Sequence, residues 1–138
     1  VAAVIECVDQ GGAILLARNH AWPERMFALV TGFLEKGESP EDAVAREVKE
    51  EVNLDAVSVR LLGTYPFLRK NELLIGYHVQ ARGDIVLNEE LAEFRLIAPD
   101  RLRPWPQATG LAVRDWMLSR GMVLPEIVEG NLFAHADL

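Results

Sequence analysis

The chain is poor in cysteine, in positive charge and in long apolar runs, and each shortage excludes something. A single cysteine, Cys7, rules out an internal disulfide and any cysteine-based zinc ribbon, and it suits a reducing cytoplasm. Its ordinary reading is a small hydrophobe in a strand. No apolar stretch nears the roughly 20 residues that span a bilayer, so no membrane partner is expected. Val1 to Val8 carries no basic segment followed by a small-residue cleavage site, so no secretory signal is visible. Lysine and arginine number 14 against 21 acids, a net charge of -7 that argues against nucleic acid as a partner. A phosphorylated small molecule is still open to such a chain. Clustered carboxylates recruit cations, and the cations then meet the phosphates.

What is present is a globular pattern. At 138 residues, half of them hydrophobic, the chain has the size and composition of a single domain, 1–138, with a buried core. Val1–Val8 and Ala13–Arg18 read as strands joined by the turn residues Asp9-Gln10-Gly11-Gly12. Met26–Leu34 is a third apolar segment. Ser39, Pro40, Glu41 and Asp42 form a helix start: a cap, a proline suited to the first turn, and acids at the positive end of the dipole. Val44, Val48 and Val52 give that helix an apolar stripe, and Asn53 is placed to end it in the left-handed conformation. Strands are expected over Val57–Phe67 and Leu73–Arg82, a short edge at Ile85–Leu87 and a last strand at Phe94–Ile97. A second helix is expected over Gly110–Arg120, with Val113, Trp116 and Met117 inward. From Met122 onward the pattern fits a packed tail or a partner contact. This order predicts an α+β fold, a mixed β-sheet sandwiched between α-helices.

The stretch that carries chemistry is Gly32–Leu54, GFLEKGESPEDAVAREVKEEVNL. On the expected helix, Glu47, Glu50 and Glu51 fall within roughly a third of the circumference. Like charges three and four residues apart each cost on the order of 0.2–0.5 kcal/mol. Glu51 also lies close to the valine stripe, where a bare carboxylate is poorly solvated. A hard dication removes both penalties, because carboxylate oxygens are its preferred ligands. A solvated acidic face is the ordinary reading of such a helix, and Arg46 with Glu50 is a plain i,i+4 pair.

The spacing of the whole stretch goes further. Gly32, Glu38, Arg46, Glu47, Val48, Glu50, Glu51 and Leu54 fall on the box that marks the Nudix family, which the chain resembles over most of its length. Asn53 departs from that pattern, which has glycine there. The resemblance implies a homodimeric enzyme that uses Mg²⁺ or Mn²⁺ and water to cut a diphosphate linkage in a nucleotide-like small molecule. It makes Glu47 and Glu51 metal ligands, Glu50 a ligand or water-activating base, and Arg46 the residue that orients them. Gly32 then lets the backbone pass closely, and Glu38 is an acid standing behind the ligands. Outside the box, Glu93 in Leu91-Ala92-Glu93-Phe94-Arg95 is preferred over Glu89 and Glu90 as a further ligand or base, with Pro99-Asp100-Arg101-Leu102 following at suitable spacing.

Leu15-Leu16-Ala17-Arg18 and the run from Ala43 to Val48 most resemble the NADH-pyrophosphatase branch. That branch carries a Ser-Gln-Pro-Trp-Pro-Phe-Pro-x-Ser array after the box, where this chain has Thr64-Tyr65-Pro66-Phe67-Leu68-Arg69-Lys70-Asn71-Glu72. Tyr65 and Phe67 are candidates to stack on a base, Arg69 to meet a phosphate, and Trp22 to line the pocket. Strand-end aromatics packed on the core are an equally good account of them. Trp105 and Trp116 read as structural, and His20, His78 and His135 lack metal-ligand spacing. ADP-ribose, a nucleotide sugar or a (deoxy)nucleoside triphosphate are rival substrates. A nucleotide-sensing module that binds without cutting, or a plain acidic interaction domain, are rivals of another class.

Overall fold

A computed structural model describes residues 1–124 of the chain. Its strands are β1 (Ala2–Cys7), β2 (Ala13–Asn19), β3 (Val30–Thr31), β4 (Asp55–Phe67), β5 (Glu72–Arg82) and β6 (Leu91–Ile97); its helices are α1 (Pro40–Val52) and α2 (Thr109–Ser119). The sheet runs β4-β5-β1-β2-β6, with β3 also paired to β1. β1 and β5 are parallel and the other pairs antiparallel, giving the mixed sheet expected.

Alternation along β1 builds two cores. Ala2 and Val4 face one way, with Ile14, Leu16 and Phe27, and are covered by Val113, Trp116 and Met117 of α2. Ala3, Ile5 and Cys7 face the other way, with Leu15, Tyr77 and Val79, and are covered by Val44, Val48 and Val52 of α1. Each such valine contributes about 1.5–3 kcal/mol by leaving water. α1 is thereby fixed rigidly to one face of the sheet. Among the described residues no helix is long and apolar enough to cross a membrane.

Both ends of α1 follow the expected chemistry. The Ser39 hydroxyl accepts the Asp42 amide at 3.1 Å, and Pro40 occupies the first turn. Asn53 stands at φ 65°, its amide bonded to the Lys49 carbonyl. Its side chain also donates to the Asp84 carbonyl at 3.0 Å. Asn53→Gly therefore gains backbone freedom and loses that bond, and its stability to urea should stay within about 0.5 kcal/mol of the parent. Asn53→Ala keeps the strain without the bond and should lose about 1 kcal/mol.

Two apolar segments differ from expectation. Of Met26–Leu34 only Val30–Thr31 is a strand, apart from an isolated bridge between Ala17 and Ala28. β2 and β3 share one edge of β1, so little of that edge is left for β3. Ile85–Leu87 is not an edge strand either. The Val86 amide goes to the Val52 carbonyl and the Asn88 amide to the Glu51 carbonyl, at 3.1 and 2.9 Å, so this segment seals the end of α1. Met122 and Leu124 pack on the α2-side core, while the rest of the expected tail, including His135, lies outside the described residues.

Candidate metal centre

The exposed side of α1 faces a cavity of about 540 Å³, closed by β3 and the segment after it, the start of β5 and the connection that precedes β6. Glu35, Glu47, Glu50, Glu51, Glu72 and Glu90 line it, with Arg46 among them. The remaining wall includes Phe33, Leu34 and Leu73, of which Phe33 is 77% exposed.

Glu51 occupies the position where the helix's polar and apolar faces meet. It is a buried residue, and its Oε2 has no hydrogen-bond partner. Burial pushes its carboxyl up to about 8, reinforced by the charges of Glu47, Glu90 and Glu50. A buried carboxyl with one oxygen left unpartnered, ringed by other acids, calls for a cation.

Arg46 organises its neighbours. Its Nε and Nη2 donate to the two oxygens of Glu38 at 3.0 and 2.7 Å, and Nη1 donates to Glu47 at 2.8 Å and Glu50 at 3.1 Å. Nη2 also donates to the Phe33 carbonyl, tying the loop after β3 to the helix. The bidentate arginine holds the Glu38 carboxyl down at about 2. Glu38 also accepts the Glu35 amide at 2.7 Å, so it braces both the loop and Arg46.

Gly32 sets how close the two walls come. A Cβ at that position would overlap the Glu47 carboxyl group, so only glycine just after β3 leaves that side chain where it stands. The Glu47 side chain is flexible and can move aside, but not without leaving its place. Gly32→Ala is therefore expected to keep its melting temperature within about 3 °C while Mn²⁺ affinity, read by calorimetry, falls at least about tenfold. Equal affinity in the variant would show that Glu47's position does not matter to ion binding. The carbonyls beside it are engaged, that of Gly32 by the Val1 amino group and that of Phe33 by Arg46.

The residues fit a hard divalent ion in donor type and in the orphaned Glu51 oxygen. As the side chains stand, no three carboxylates among the described residues converge into a closed cage. Arg46 draws one oxygen each from Glu47 and Glu50 to itself.

The structure brings Gly32, Arg46, Glu47, Glu50 and Glu51 to one cavity, with Glu38 behind them. It places the other candidates elsewhere. Glu93 sits opposite Arg18 in the β2–β6 ladder and pairs with its guanidinium at 2.9 Å, while the cavity acid from this region is Glu90. Of the two acids weighed in the sequence, Glu90 therefore lines the cavity and Glu93 does not. Tyr65 is buried on the α2 side, its hydroxyl donating to Asp115 at 2.6 Å, which removes it as a base-stacking surface. Phe67 and Trp22 pack on that same α2-side core, and Arg69 is exposed in the turn between β4 and β5, outside the cavity lining. Sequence reasoning missed Phe33, Glu72, Leu73, Asn88 and Glu90 on the wall. Phe33 had one signal, a large aromatic directly after the required glycine.

Known proteins resemble this chain in sequence and in fold. The NUDIX domain family model matches residues 1–116. The NAD-capped RNA hydrolase NudC of Mycobacterium bovis (strain BCG / Pasteur 1173P2) is 40% identical over 115 residues, 80% of this chain and 35% of that protein. The NudC of Pseudomonas putida (strain GB-1) is 32% identical over 130 residues, 91% of this chain and 47% of that one. The chain thus spans between a third and a half of the length of these relatives. Among solved structures, the NUDIX domain of Shewanella oneidensis NrtR, crystallised with ADP ribose, superposes with a TM-score of 0.62 at 16% identity, covering 86% of this chain and 85% of that one. That likeness is one of fold. With its box on α1 and its mixed sheet between two helices, the chain belongs to the Nudix family.

Proposed function

We propose that this chain hydrolyses the diphosphate linkage of a small dinucleotide such as NAD(H), using Mg²⁺ or Mn²⁺ held by Glu47, Glu50 and Glu51, with Glu90 at hand. The observation that carries this reading is the partnerless, buried Glu51 oxygen beside three other cavity acids. A bound dication would neutralise the diphosphate and make a coordinated water more acidic. The chain's residues supply the rest. Arg46 keeps Glu47 and Glu50 in place, and Glu50, with 55% of its side chain exposed, has room to take the proton of an attacking water. Phe33, Leu34 and Leu73 offer an apolar wall for a planar ring, shielding the site from bulk water. Cleavage yields two mononucleotides.

The relatives named NAD-capped RNA hydrolases favour an NAD-type substrate over a triphosphate. A net charge of -7 gives a long RNA little electrostatic attraction, so the free dinucleotide is preferred to a capped chain. A homodimer in a reducing cytoplasm completes the reading. The test is a substrate panel with Mg²⁺ or Mn²⁺, read by product mass: oxidised and reduced dinucleotide, ADP-ribose, nucleotide sugars, (deoxy)nucleoside triphosphates and an NAD-capped oligonucleotide. Dinucleotides are expected to turn over fastest. Dinucleotides untouched while ADP-ribose is cut would overturn the assignment.

A further inference from the structure

We propose that Asn88 is a positioning residue, whose backbone and side chain together hold Glu90 in the same cavity as Glu51; the inference rests on the metal reading above. Asn88 and Glu90 both line that cavity, and Glu89 between them does not. Glu90 is an exposed residue just ahead of β6, so burial does not fix it. Its backbone is what is held. The Asn88 Oδ1 accepts the Glu90 amide at 3.2 Å, and the Glu90 carbonyl accepts the His20 amide at 3.1 Å.

The bond from Asn88 is local chemistry. An asparagine that accepts from the amide two residues on makes a turn of its own, because its short side chain stands in for a backbone carbonyl. The Asn88 carbonyl also accepts the Leu91 amide, at 3.4 Å, which closes the turn and leads the chain into β6. In a run of Asn88-Glu89-Glu90, this geometry decides which of the two acids reaches the cavity.

The same residue reaches the box helix. The Asn88 amide donates to the Glu51 carbonyl at 2.9 Å, the Val86 amide to the Val52 carbonyl at 3.1 Å, and Asn53 Nδ2 to the Asp84 carbonyl at 3.0 Å. These three bonds dock residues 84–88 on the end of α1, satisfying carbonyls that the helix itself leaves open. Asn88 is the last of the three contact points. It is bonded at once to the residue that bears the orphaned buried oxygen and to the exposed acid beyond it. Because the valine stripe fixes α1 to the sheet, Glu90 inherits a set place relative to Glu51.

That place is costly without an ion. The charge of Glu90 acts on Glu51, and an exposed acid with a free backbone would relieve the repulsion by swinging into water. The Asn88 turn opposes that relaxation and keeps both carboxylates ready for a shared cation. Ligands held in advance bind more tightly than ligands that must be gathered.

The test is Mn²⁺ binding by calorimetry, without substrate, in the full chain and in Asn88→Ala, Asn88→Ser, Glu90→Gln and the double variant Asn88→Ala/Glu90→Gln. Alanine keeps the amide bond to Glu51 and loses the side-chain bond to Glu90, so affinity should fall about tenfold while the melting temperature in EDTA stays within about 3 °C. The serine hydroxyl makes the same turn more weakly and should restore affinity to within about threefold of the parent. Glu90→Gln should also lose about tenfold, and adding Asn88→Ala to it should cost less than about twofold more, because the turn then has no carboxylate to hold. Losses that add in full, a serine variant no better than alanine, or parental affinity in Asn88→Ala would each overturn the inference and leave the metal centre standing. A parent that binds no Mn²⁺ would overturn both.

Discussion

Glu51→Gln should lower dinucleotide turnover by about 10³-fold or more and yet leave the metal-free protein more stable at alkaline pH. The two effects have one origin. Glutamine would keep the volume and lose the charge that a dication needs, and removing one member of such a site typically costs on the order of 10²–10⁴-fold. Stability moves the other way because the Glu51 carboxyl is held up at about 8, against an ordinary 4.5. Between those values the folded chain keeps a proton that the unfolded chain has released. Metal-free stability therefore falls as pH rises from about 4.5 to about 8, and the full penalty is present above that. For a group buried this far the penalty is on the order of a few kcal/mol. Glutamine has no proton to lose, so its profile should be flatter. In EDTA at pH 9 the variant should melt about 5 °C or more above the parent. Added Mn²⁺ should raise the parent's melting temperature and barely move the variant's. Undiminished turnover, or a lower melting temperature in EDTA, would show that Glu51 is not a strained acid awaiting a cation.

The legible and illegible parts of this site separate along physical lines. Glu47, Glu50 and Glu51 could be placed together from spacing alone, because an α-helix with both ends capped by local residues has one geometry. The valine stripe then told which face was buried. β4 offered no such certainty. Its register shifts at Ala56/Ser58 and again at Leu61/Gly63, and each shift turns the following side chains to the other face. The second shift lies between Val59, which packs on the α1 side, and Tyr65 and Phe67, which pack on the α2 side, so simple alternation along the strand could not say that the aromatics face α2. Glu90 was hidden for a different reason. It follows a stretch without repeating structure, whose path is set by amides of Val86 and Asn88 bonded to the last carbonyls of α1. Glu93, by contrast, lies in a regular ladder, and its partner Arg18 follows from strand pairing that no local pattern reveals. Phe33 was passed over despite its place directly after Gly32, because an exposed aromatic goes against the burial rule on which such readings rest.

Arg46→Ala should be the next most damaging substitution, and Arg46→Lys should rescue it only in part. One guanidinium serves Glu38 through two bonds, Glu47 and Glu50 through one each, and the Phe33 carbonyl through another. An ammonium is a point donor on a flexible stem and cannot hold that planar set at once. Loss of the fork frees Glu47 and Glu50 to repel each other and lets the loop after β3 drift from α1. We expect kcat/KM to fall about 100-fold in the alanine variant and about tenfold in the lysine variant. Acid tolerance should report the same bond. Glu38 is held down at about 2 by Arg46, so its contribution to stability is present above the ordinary 4.5 and is lost as pH falls toward 2. Removing Arg46 removes that contribution, and the acid-unfolding midpoint should rise. A double-mutant cycle with Glu38→Gln separates bracing from mere charge. If Glu38 acts by holding Arg46, the two losses of activity should fall well short of adding, because the second change removes little that the first has left. Fully additive losses, or a lysine variant with parental kcat/KM, would mean that Arg46 contributes positive charge and no more.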